Sequence, residues 1–320
     1  MCTMDDQEIA SEQTQKEVST KAMDLMDTSL DNILTCVDNS SSTVIATRLG
    51  MGKPALEDQG LAQELNYIIK ELEQIEKETA QRPRVSTGFP SLDKILTGLV
   101  NGSLVLIAGR PAMGKTSFAL ELAKNMVKSH EKTIVIFTLE LSKEQATQIL
   151  MRKMGGTNLE DSRIQIRDDI LVTVEKMQSI CENTEHLGTV IIDYFQLIDD
   201  PALWKGRSQD DYYRAESIVS RKVKSMAEKL NVPVIVTSQL TRSIEYRADK
   251  RPRLSDLRER GVLEQDSDVV IFLYRDEYYN KNSEDKGVTE CIVAKNRFGD
   301  CRTAKLQWNL DKYTFLDMPD

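Results

Sequence analysis

Short runs of apolar residues recur along residues 81–320, separated by longer segments whose apolar residues follow a helical period. Most runs are continuously apolar, as in strands buried on both faces of a sheet. The predicted strands are Leu104–Ala108, Thr133–Leu139, Thr189–Ile192, Pro233–Thr237, Asp268–Tyr274, Thr289–Ala294 and Ala304–Trp308. Helical patterns lie between several of them, most clearly over Tyr213–Leu230. We therefore predict an α/β fold: a mostly parallel sheet with helices on both faces and an antiparallel hairpin of the last two strands at one edge.

The first 80 residues have a different pattern. Within residues 61–80, apolar side chains recur at helical spacing while Glu and Lys fill the other face. We predict an amphipathic helix there that packs either on its own domain or on a neighbouring subunit. Residues 1–60 are polar, acidic and rich in Ser and Thr, which predicts a partly disordered or helical segment. Residues 81–320 then form the main domain.

Charge and cysteine content narrow the function classes. The chain has a net charge of −9, but residues 1–80 alone hold 16 acidic and 6 basic residues, so the remainder is close to neutral. The acidity therefore does not exclude a nucleic-acid ligand. The five cysteines contain no C-x-x-C pair and only two histidines accompany them, which disfavours a zinc site or a disulfide framework. No apolar run approaches ~20 residues and no leader pattern is present, so we expect a cytoplasmic protein without a membrane span.

A glycine-rich loop follows the first long strand of the main domain. It reads G-R-P-A-M-G-K-T and is followed directly by a helix-forming segment, which is the context of a phosphate-binding P-loop. Backbone N–H groups and the helix N-terminus favour an anion there, while a lysine ammonium reaches the β- and γ-phosphates and a threonine hydroxyl can ligate Mg²⁺. We predict ATP and Mg²⁺ as ligands. The predicted nucleotide-binding residues are Gly109, Arg110, Pro111, Ala112, Met113, Gly114, Lys115, Thr116 and Ser117.

Polar residues follow three of the other predicted strands. Ligands in parallel α/β sheets gather at the carboxyl ends of the strands, where these residues should meet the P-loop. Glu140 is a candidate for orienting the attacking water, although a solvent-facing charge at a strand end is an alternative. Asp193 ends four apolar-compatible positions, the pattern of an acid that holds Mg²⁺ together with Thr116. Gln239 is an uncharged group suited to sensing the γ-phosphate.

These strand ends resemble the RecA-type ATPases, and longer motifs narrow the resemblance. The segments F-T-L-E-L-S, I-I-D-Y-F-Q-L, N-V-P-V-I-V-T-S-Q-L, L-R-E-R-G-V-L-E-Q-D and A-K-N-R-F-G are similar to the motor domain of the DnaB-family replicative helicases. The resemblance covers about residues 61–317, in order. It does not extend to a recognisable N-terminal primase-binding domain. The chain is also shorter than the family pattern between Gly156 and Ile191, where a short strand is predicted at Ile164–Ile166.

The resemblance implies a role for each matching residue. Glu140 would be the catalytic carboxylate, Asp193 the Mg²⁺-associated acid, and Gln239 the group that couples nucleotide state to DNA. Lys295 and Arg297 would act on the neighbouring subunit's nucleotide, with Arg297 as the arginine finger. The predicted DNA-binding loop is Arg258, Glu259, Arg260 and Gly261, within the basic stretch 242–260. The helix over residues 61–80 would be the linker helix that closes a ring.

The resemblance therefore implies an ATP-driven 5′–3′ DNA helicase that translocates on single-stranded DNA as a homo-oligomer, a hexamer, together with other replication proteins. Two other functions are compatible with the residues. One is a DNA-stimulated ATPase of a plasmid, phage or mobile element that loads or regulates replication without processive unwinding. The other is a non-enzymatic protein that joins a host helicase ring, which the complete catalytic set disfavours.

Overall fold

The computed structural model describes residues 81–129, 131–156, 163–168, 172–198, 209–258, 263–309 and 313–318, together with Lys70. The chain divides into two compact units, Met1–Gln81 and Arg82–Asp320. The predicted segment 1–60 and, apart from Lys70, the predicted helix over residues 61–80 lie outside the described residues. The elements below all belong to the second unit. No helix in the described ranges is long and apolar enough to cross a membrane.

Two sheets are present in the described part of the chain. The small one pairs β1 (Arg84–Val85) with β2 (Leu99–Val100). The large one has nine strands in the spatial order β11–β10–β9–β8–β3–β7–β6–β4–β5. Its strands are β3 (Leu104–Gly109), β4 (Thr133–Thr138), β5 (Ile164–Arg167), β6 (Leu187–Asp193), β7 (Val234–Gln239), β8 (Val269–Tyr274), β9 (Val288–Asn296), β10 (Thr303–Asn309) and β11 (Thr314–Asp317).

The helices fall between the strands, as the alternating pattern predicts. They are α1 (Pro90–Leu96), α2 (Lys115–Ser129), α3 (Lys143–Lys153), α4 (Val174–Glu182), α5 (Gln209–Leu230), α6 (Ser255–Arg258), α7 (Leu263–Asp266) and α8 (Asp276–Tyr279). Short 3-10 helices span Phe195–Leu197 and Arg242–Tyr246. Local chemistry sets several boundaries. A proline begins α1, and a capping box between Ser142 and Gln145 begins α3, satisfying N–H groups that have no partner within the helix.

Apolar residues on both faces of the sheet form the core. Successive residues of a strand point to opposite faces, so Val105 and Ile107 pack on one side and Leu104 and Leu106 on the other. The first face is covered by helices that include α2, through Phe118, and the second by helices that include α5. All four strand residues are at most 1% exposed. Burial on both faces explains why these runs are continuously apolar in sequence.

The structure confirms the predicted fold class. Six strands, β5–β4–β6–β7–β3–β8, pair in parallel, and β9 and β10 form the predicted antiparallel hairpin. The predicted strand near Ile164 is β5, at one edge of the sheet. The antiparallel region is larger than predicted, because β8 also pairs with β9 and β11 extends the hairpin at the opposite edge. The sequence analysis did not predict β11, whose four residues include one buried apolar side chain, Phe315.

Candidate active site

The predicted phosphate-binding loop leaves the carboxyl end of β3 and leads into α2. Both of its glycines lie where a side chain would come too close to neighbouring atoms. A Cβ at Gly109 would lie 3.0 Å from the backbone oxygen of Leu273, and one at Gly114 would lie 3.1 Å from Phe315 Cζ. Gly114 also has a φ of +89°, a backbone conformation that residues with a Cβ atom rarely adopt. The glycine spacing therefore reflects packing of the loop against its own domain as well as room for a ligand.

The remaining residues of this loop take different environments. Pro111 and Ala112 are exposed at its tip, whereas the Met113 side chain is buried beneath it. Ser117 lies half-buried in the first turn of α2, immediately after Lys115 and Thr116. The loop thus presents its backbone and the start of a helix to solvent, which is the arrangement that binds phosphate groups.

Lys115 is the cationic group of the loop. Its Nζ donates a hydrogen bond to the backbone oxygen of Arg110 at 3.2 Å. Burial lowers the pKa of Lys115 to about 8, while the charges of Asp193 and Glu140 oppose that shift. The three predicted residues are therefore close enough for their charges to interact, although they come from three different strand ends.

Asp193, the last residue of β6, has the properties of a metal ligand. It is 4% exposed, and burial raises its pKa, opposed by the hydroxyls of Thr237 and Thr116 and by the charge of Lys115. Thr237 donates a hydrogen bond to Oδ1, whereas Oδ2 is buried without a hydrogen-bond partner among the described residues. A buried carboxylate oxygen with an unused lone pair is costly unless a cation or a donor meets it. The donor set of Asp193 and the nearby Thr116 hydroxyl therefore fits a hard divalent cation such as Mg²⁺.

Glu140 lies two residues beyond the end of β4, where the chain bends before α3, and its side chain is exposed. The last residue of β4, Thr138, pairs with Asp193, so Glu140 lies beyond Asp193 on the side that faces solvent. A carboxylate in that place can accept a proton from a water molecule at the open side of the phosphate site.

Gln239 ends β7 beside Gly109, with which it pairs in the parallel register. Its backbone is held by Gln196, which the sequence analysis did not assign. The Gln196 amide donates to Ser238 Oγ at 2.8 Å, and its oxygen accepts from the Gln239 N–H at 3.4 Å. Gln196 belongs to the I-I-D-Y-F-Q-L motif, three residues after Asp193, and that position was the available signal.

Arg275 is a second residue that sequence reasoning missed. It directly follows β8 at the same edge of the sheet as the P-loop, so the strand-end argument could have found it. Its Nη1 donates to the backbone oxygen of Ala112 at 3.5 Å, and its guanidinium lies 5.3 Å from the centre of the Trp308 ring. Arg275 therefore supports the exposed tip of the loop.

Lys295 and Arg297 lie on the opposite side of the sheet, where the parallel strands β3 and β8 begin. Because β9 runs antiparallel, its last residue Asn296 pairs with Val269, level with the start of β3. The Lys295 ammonium donates to the backbone oxygens of Glu264 and Gln265, and Arg297 donates to Gln265 and to the carboxylate of Asp268 at 3.3 Å. The structure brings these two cations together, but it places them away from the P-loop of their own chain.

Asp268 is a buried hub that the sequence analysis did not recognise. Its carboxylate accepts from the backbone N–H of Leu104 at 2.8 Å and from Lys224 Nζ at 2.7 Å, in addition to Arg297. It is 3% exposed. The start of β3 and the Arg297 guanidinium are thus held by one carboxylate.

Of the four predicted DNA-binding residues, the structure describes the backbone of Arg258, the last residue of α6. Glu259, Arg260 and Gly261 lie outside the described residues. Two bases of the stretch 242–260 are committed to pairs within the domain. Arg247 forms a bidentate pair with Asp256, and Arg251 forms one with Glu290. Both side chains are therefore held by carboxylates of their own domain.

Known proteins are similar to this chain in sequence and in fold. Residues 84–163 and 150–317 match the model of the DnaB-like helicase C terminal domain. The replicative DNA helicase DnaB of Geobacillus stearothermophilus is 36% identical over 260 residues, which cover 73% of this chain and 56% of that protein. This chain thus spans little more than half of that curated relative.

Two solved structures are similar in fold and sequence. One, an ATPase domain, is matched over its whole length and over 82% of this chain, with 34% identity and a TM-score of 0.68. The other, a DnaB-like replicative helicase described with its interactions with primase, is 31% identical with a TM-score of 0.70. That match covers 98% of this chain and 78% of the helicase. Together with the P-loop and the strand-end residues around it, these matches show that the chain belongs to the family of the DnaB-like helicase C-terminal domain.

Proposed function

We propose that this protein is an ATP-driven DNA helicase motor that works as a ring. The observation that carries the proposal is the position of the predicted catalytic residues, which lie at the two opposite ends of the parallel strands. Lys115, Asp193 and Glu140 meet at one end, and Lys295 and Arg297 lie at the other. Such a site is complete only where one protomer meets the next.

At the P-loop edge, this chain's residues are suited to bind and cleave the γ-phosphate of ATP. Lys115 supplies a positive charge to the phosphates, and Glu140 orients a water for attack and accepts its proton. Thr116 and Asp193 would hold Mg²⁺, which neutralises charge on the phosphates when bound. This role is supported by the burial of Asp193 and by its Oδ2, which has no hydrogen-bond partner among the described residues.

The strand register supports action of Arg297 on a neighbouring nucleotide. The end of β9 is level with Val105, and Gly109 lies four residues further along β3, about 13 Å away at ~3.3 Å per residue. The Arg297 side chain also points toward Gln265 and Asp268 rather than along β3. Arg297 and Lys295 therefore serve the adjacent protomer. We propose a hexamer, with the helix over residues 61–80 as the element that joins protomers.

We propose single-stranded DNA as the second ligand. Arg258, Glu259, Arg260 and Gly261 would follow the phosphate backbone in the centre of the ring, where a glycine lets backbone N–H groups approach closely. Gln239 begins the segment that leads from the P-loop edge to this loop and would report the state of the γ-phosphate. The relatives named replicative DNA helicases support a role in replication. The 5′–3′ direction and the cytoplasmic location that we propose come from the family resemblance. The helicase described with primase supports other replication proteins as partners.

Two assays test this function. Steady-state ATP hydrolysis of the full chain should rise when single-stranded DNA is added, and a forked duplex with a 5′ tail should be unwound in the presence of ATP. The Lys115→Ala variant is the control for contaminating activity in both assays. Hydrolysis without strand displacement would support the DNA-stimulated ATPase instead. Absence of hydrolysis in the assembled protein would overturn the proposal.

A further inference from the structure

One ion pair joins the P-loop to the segment that precedes the predicted DNA-binding loop. Resting on the function proposed above, we propose that the Arg110–Glu245 pair transmits nucleotide state to DNA affinity, with Glu245 as a positioning residue. No motif assigns this role to either residue: the sequence predicts Arg110 as a nucleotide-binding residue and predicts no role for Glu245.

The P-loop end of this link is rigid. Arg110 directly follows Gly109, and its side chain is 8% exposed. Its Nε and Nη2 donate to Glu245 Oε1 at 2.9 and 2.7 Å, and its Nη1 donates to the backbone oxygen of Leu240 at 2.7 Å. A planar guanidinium with three bonds of this kind has little freedom to reorient. Its backbone oxygen meanwhile accepts from Lys115, so movement of the lysine or of the loop displaces the same residue.

The other end of the link leads toward DNA. Glu245 lies in the 3-10 helix Arg242–Tyr246, which begins three residues after Gln239 and is anchored by the buried Ile244. Two residues further, Arg247 makes a bidentate pair with Asp256 at 3.1 and 2.9 Å. Asp256 lies in α6, which ends at Arg258. Two arginine–carboxylate pairs, the first through Glu245 Oε1 alone and the second bidentate, thus connect the P-loop with the helix that carries the first predicted DNA-binding residue.

A comparable pair in the same segment provides a control. Arg251 Nε and Nη2 donate to Glu290 Oε2 and Oε1 at 2.9 and 2.7 Å, the same distances as in the Arg110 pair, in which both donors share Glu245 Oε1. Glu290 lies in β9, so this pair fastens the segment to the sheet rather than to the P-loop. If general rigidity of the segment were sufficient, loss of either pair would affect coupling equally. The proposed role requires that loss of the Arg110–Glu245 pair reduces coupling and that loss of the Arg251–Glu290 pair does not.

The experiment measures coupling between two ligands. Fluorescence anisotropy of a labelled single-stranded oligonucleotide gives its Kd with and without a non-hydrolysable ATP analogue, and the ratio of the two values is the coupling factor. The full chain, Glu245→Gln and Glu290→Gln are compared, with nucleotide Kd measured for each. Glu245→Gln should bind nucleotide and should reduce the coupling factor by roughly 2- to 30-fold, the range for residues that connect two sites. Glu290→Gln should keep the factor of the unmodified chain.

The outcomes separate this inference from the proposed function. A coupling factor in Glu245→Gln equal to that of the unmodified chain would overturn the inference and leave the function standing. An equal loss in both variants would also overturn it, because rigidity alone would then explain the effect. A coupling factor of one in the unmodified chain would overturn both. Glu245→Asp keeps the charge but shortens the side chain, so its coupling factor should lie between those of the unmodified chain and Glu245→Gln. A graded change of this kind distinguishes loss of the pair from a folding defect in the Gln variant.

Discussion

The affinity of this protein for nucleotide should fall as the pH rises through 8, because one partly buried lysine loses its proton. Burial lowers the pKa of Lys115 from 10.5 to about 8, and the carboxylates of Asp193 and Glu140 restore only part of the difference. The charged ammonium is the form that attracts phosphate. Raising the pH should therefore weaken nucleotide binding because the Lys115 side chain loses its proton.

The magnitude follows from that pKa. With a value of about 8, roughly nine tenths of the free protein carries the charged Lys115 at pH 7 and roughly one tenth at pH 9. In the complex, nearby phosphate charges favour the ammonium and keep it protonated over this range. Binding at pH 9 must then take up a proton, which lowers the apparent affinity about tenfold, or ~1.4 kcal/mol. The sign is a loss on the alkaline side, since the binding form is depleted as pH rises.

A fluorescent nucleotide titrated in half-unit steps between about pH 7 and pH 9.5, with excess Mg²⁺, measures this effect. The last proton of a phosphate monoester titrates near pH ~6, below the window. The matched variant is Lys115→Arg, whose guanidinium stays charged throughout. Its affinity should be independent of pH in this range, even if the longer side chain weakens binding at every pH.

Two results would refute the reasoning. A flat profile for the unmodified protein would mean that Lys115 stays charged, so that burial does not dominate its pKa. The same slope in Lys115→Arg would mean that a different group titrates.

Three further predictions concern the site. Glu140→Gln should keep the nucleotide Kd while reducing kcat by at least ~100-fold, since a water-positioning carboxylate acts in the transition state; a large rise in Kd would contradict that role. Arg297→Ala protomers should regain hydrolysis when mixed with Lys115→Ala protomers, and failure in rings shown to contain both would argue against action in trans. Gly114→Ala should lower the free energy of unfolding by at least ~1 kcal/mol, measured by denaturant titration, because φ is +89° and the new Cβ would lie 3.1 Å from Phe315; an unchanged midpoint would show that the loop relaxes.

Local patterns in the sequence were sufficient for the architecture and for one edge of the site. Continuous apolar runs are detectable because each parallel strand is buried on both faces, and the P-loop is detectable because its glycines and lysine are adjacent in the chain. The rule that parallel strands end on the same side of a sheet then predicted that Glu140, Asp193 and Gln239 lie on the side of the P-loop, and the structure has them there. Each of these inferences uses residues within a few positions of one another.

The pairing of side chains that are distant in sequence follows from the folded arrangement of the strands. Arg110 and Glu245 are 135 positions apart, and Arg297 and Asp268 are 29 apart. Nothing periodic in the chain joins them, because such pairs depend on strand order and register. The register of β9 pairs Glu290 with Tyr274, where Arg251 meets it, and sets Asn296, next to Arg297, level with the start of β8. Local spacing in the chain predicts the sheet and the phosphate loop, whereas the position of Lys295 and Arg297 away from their own P-loop depends on the antiparallel pairing of β9 with β8.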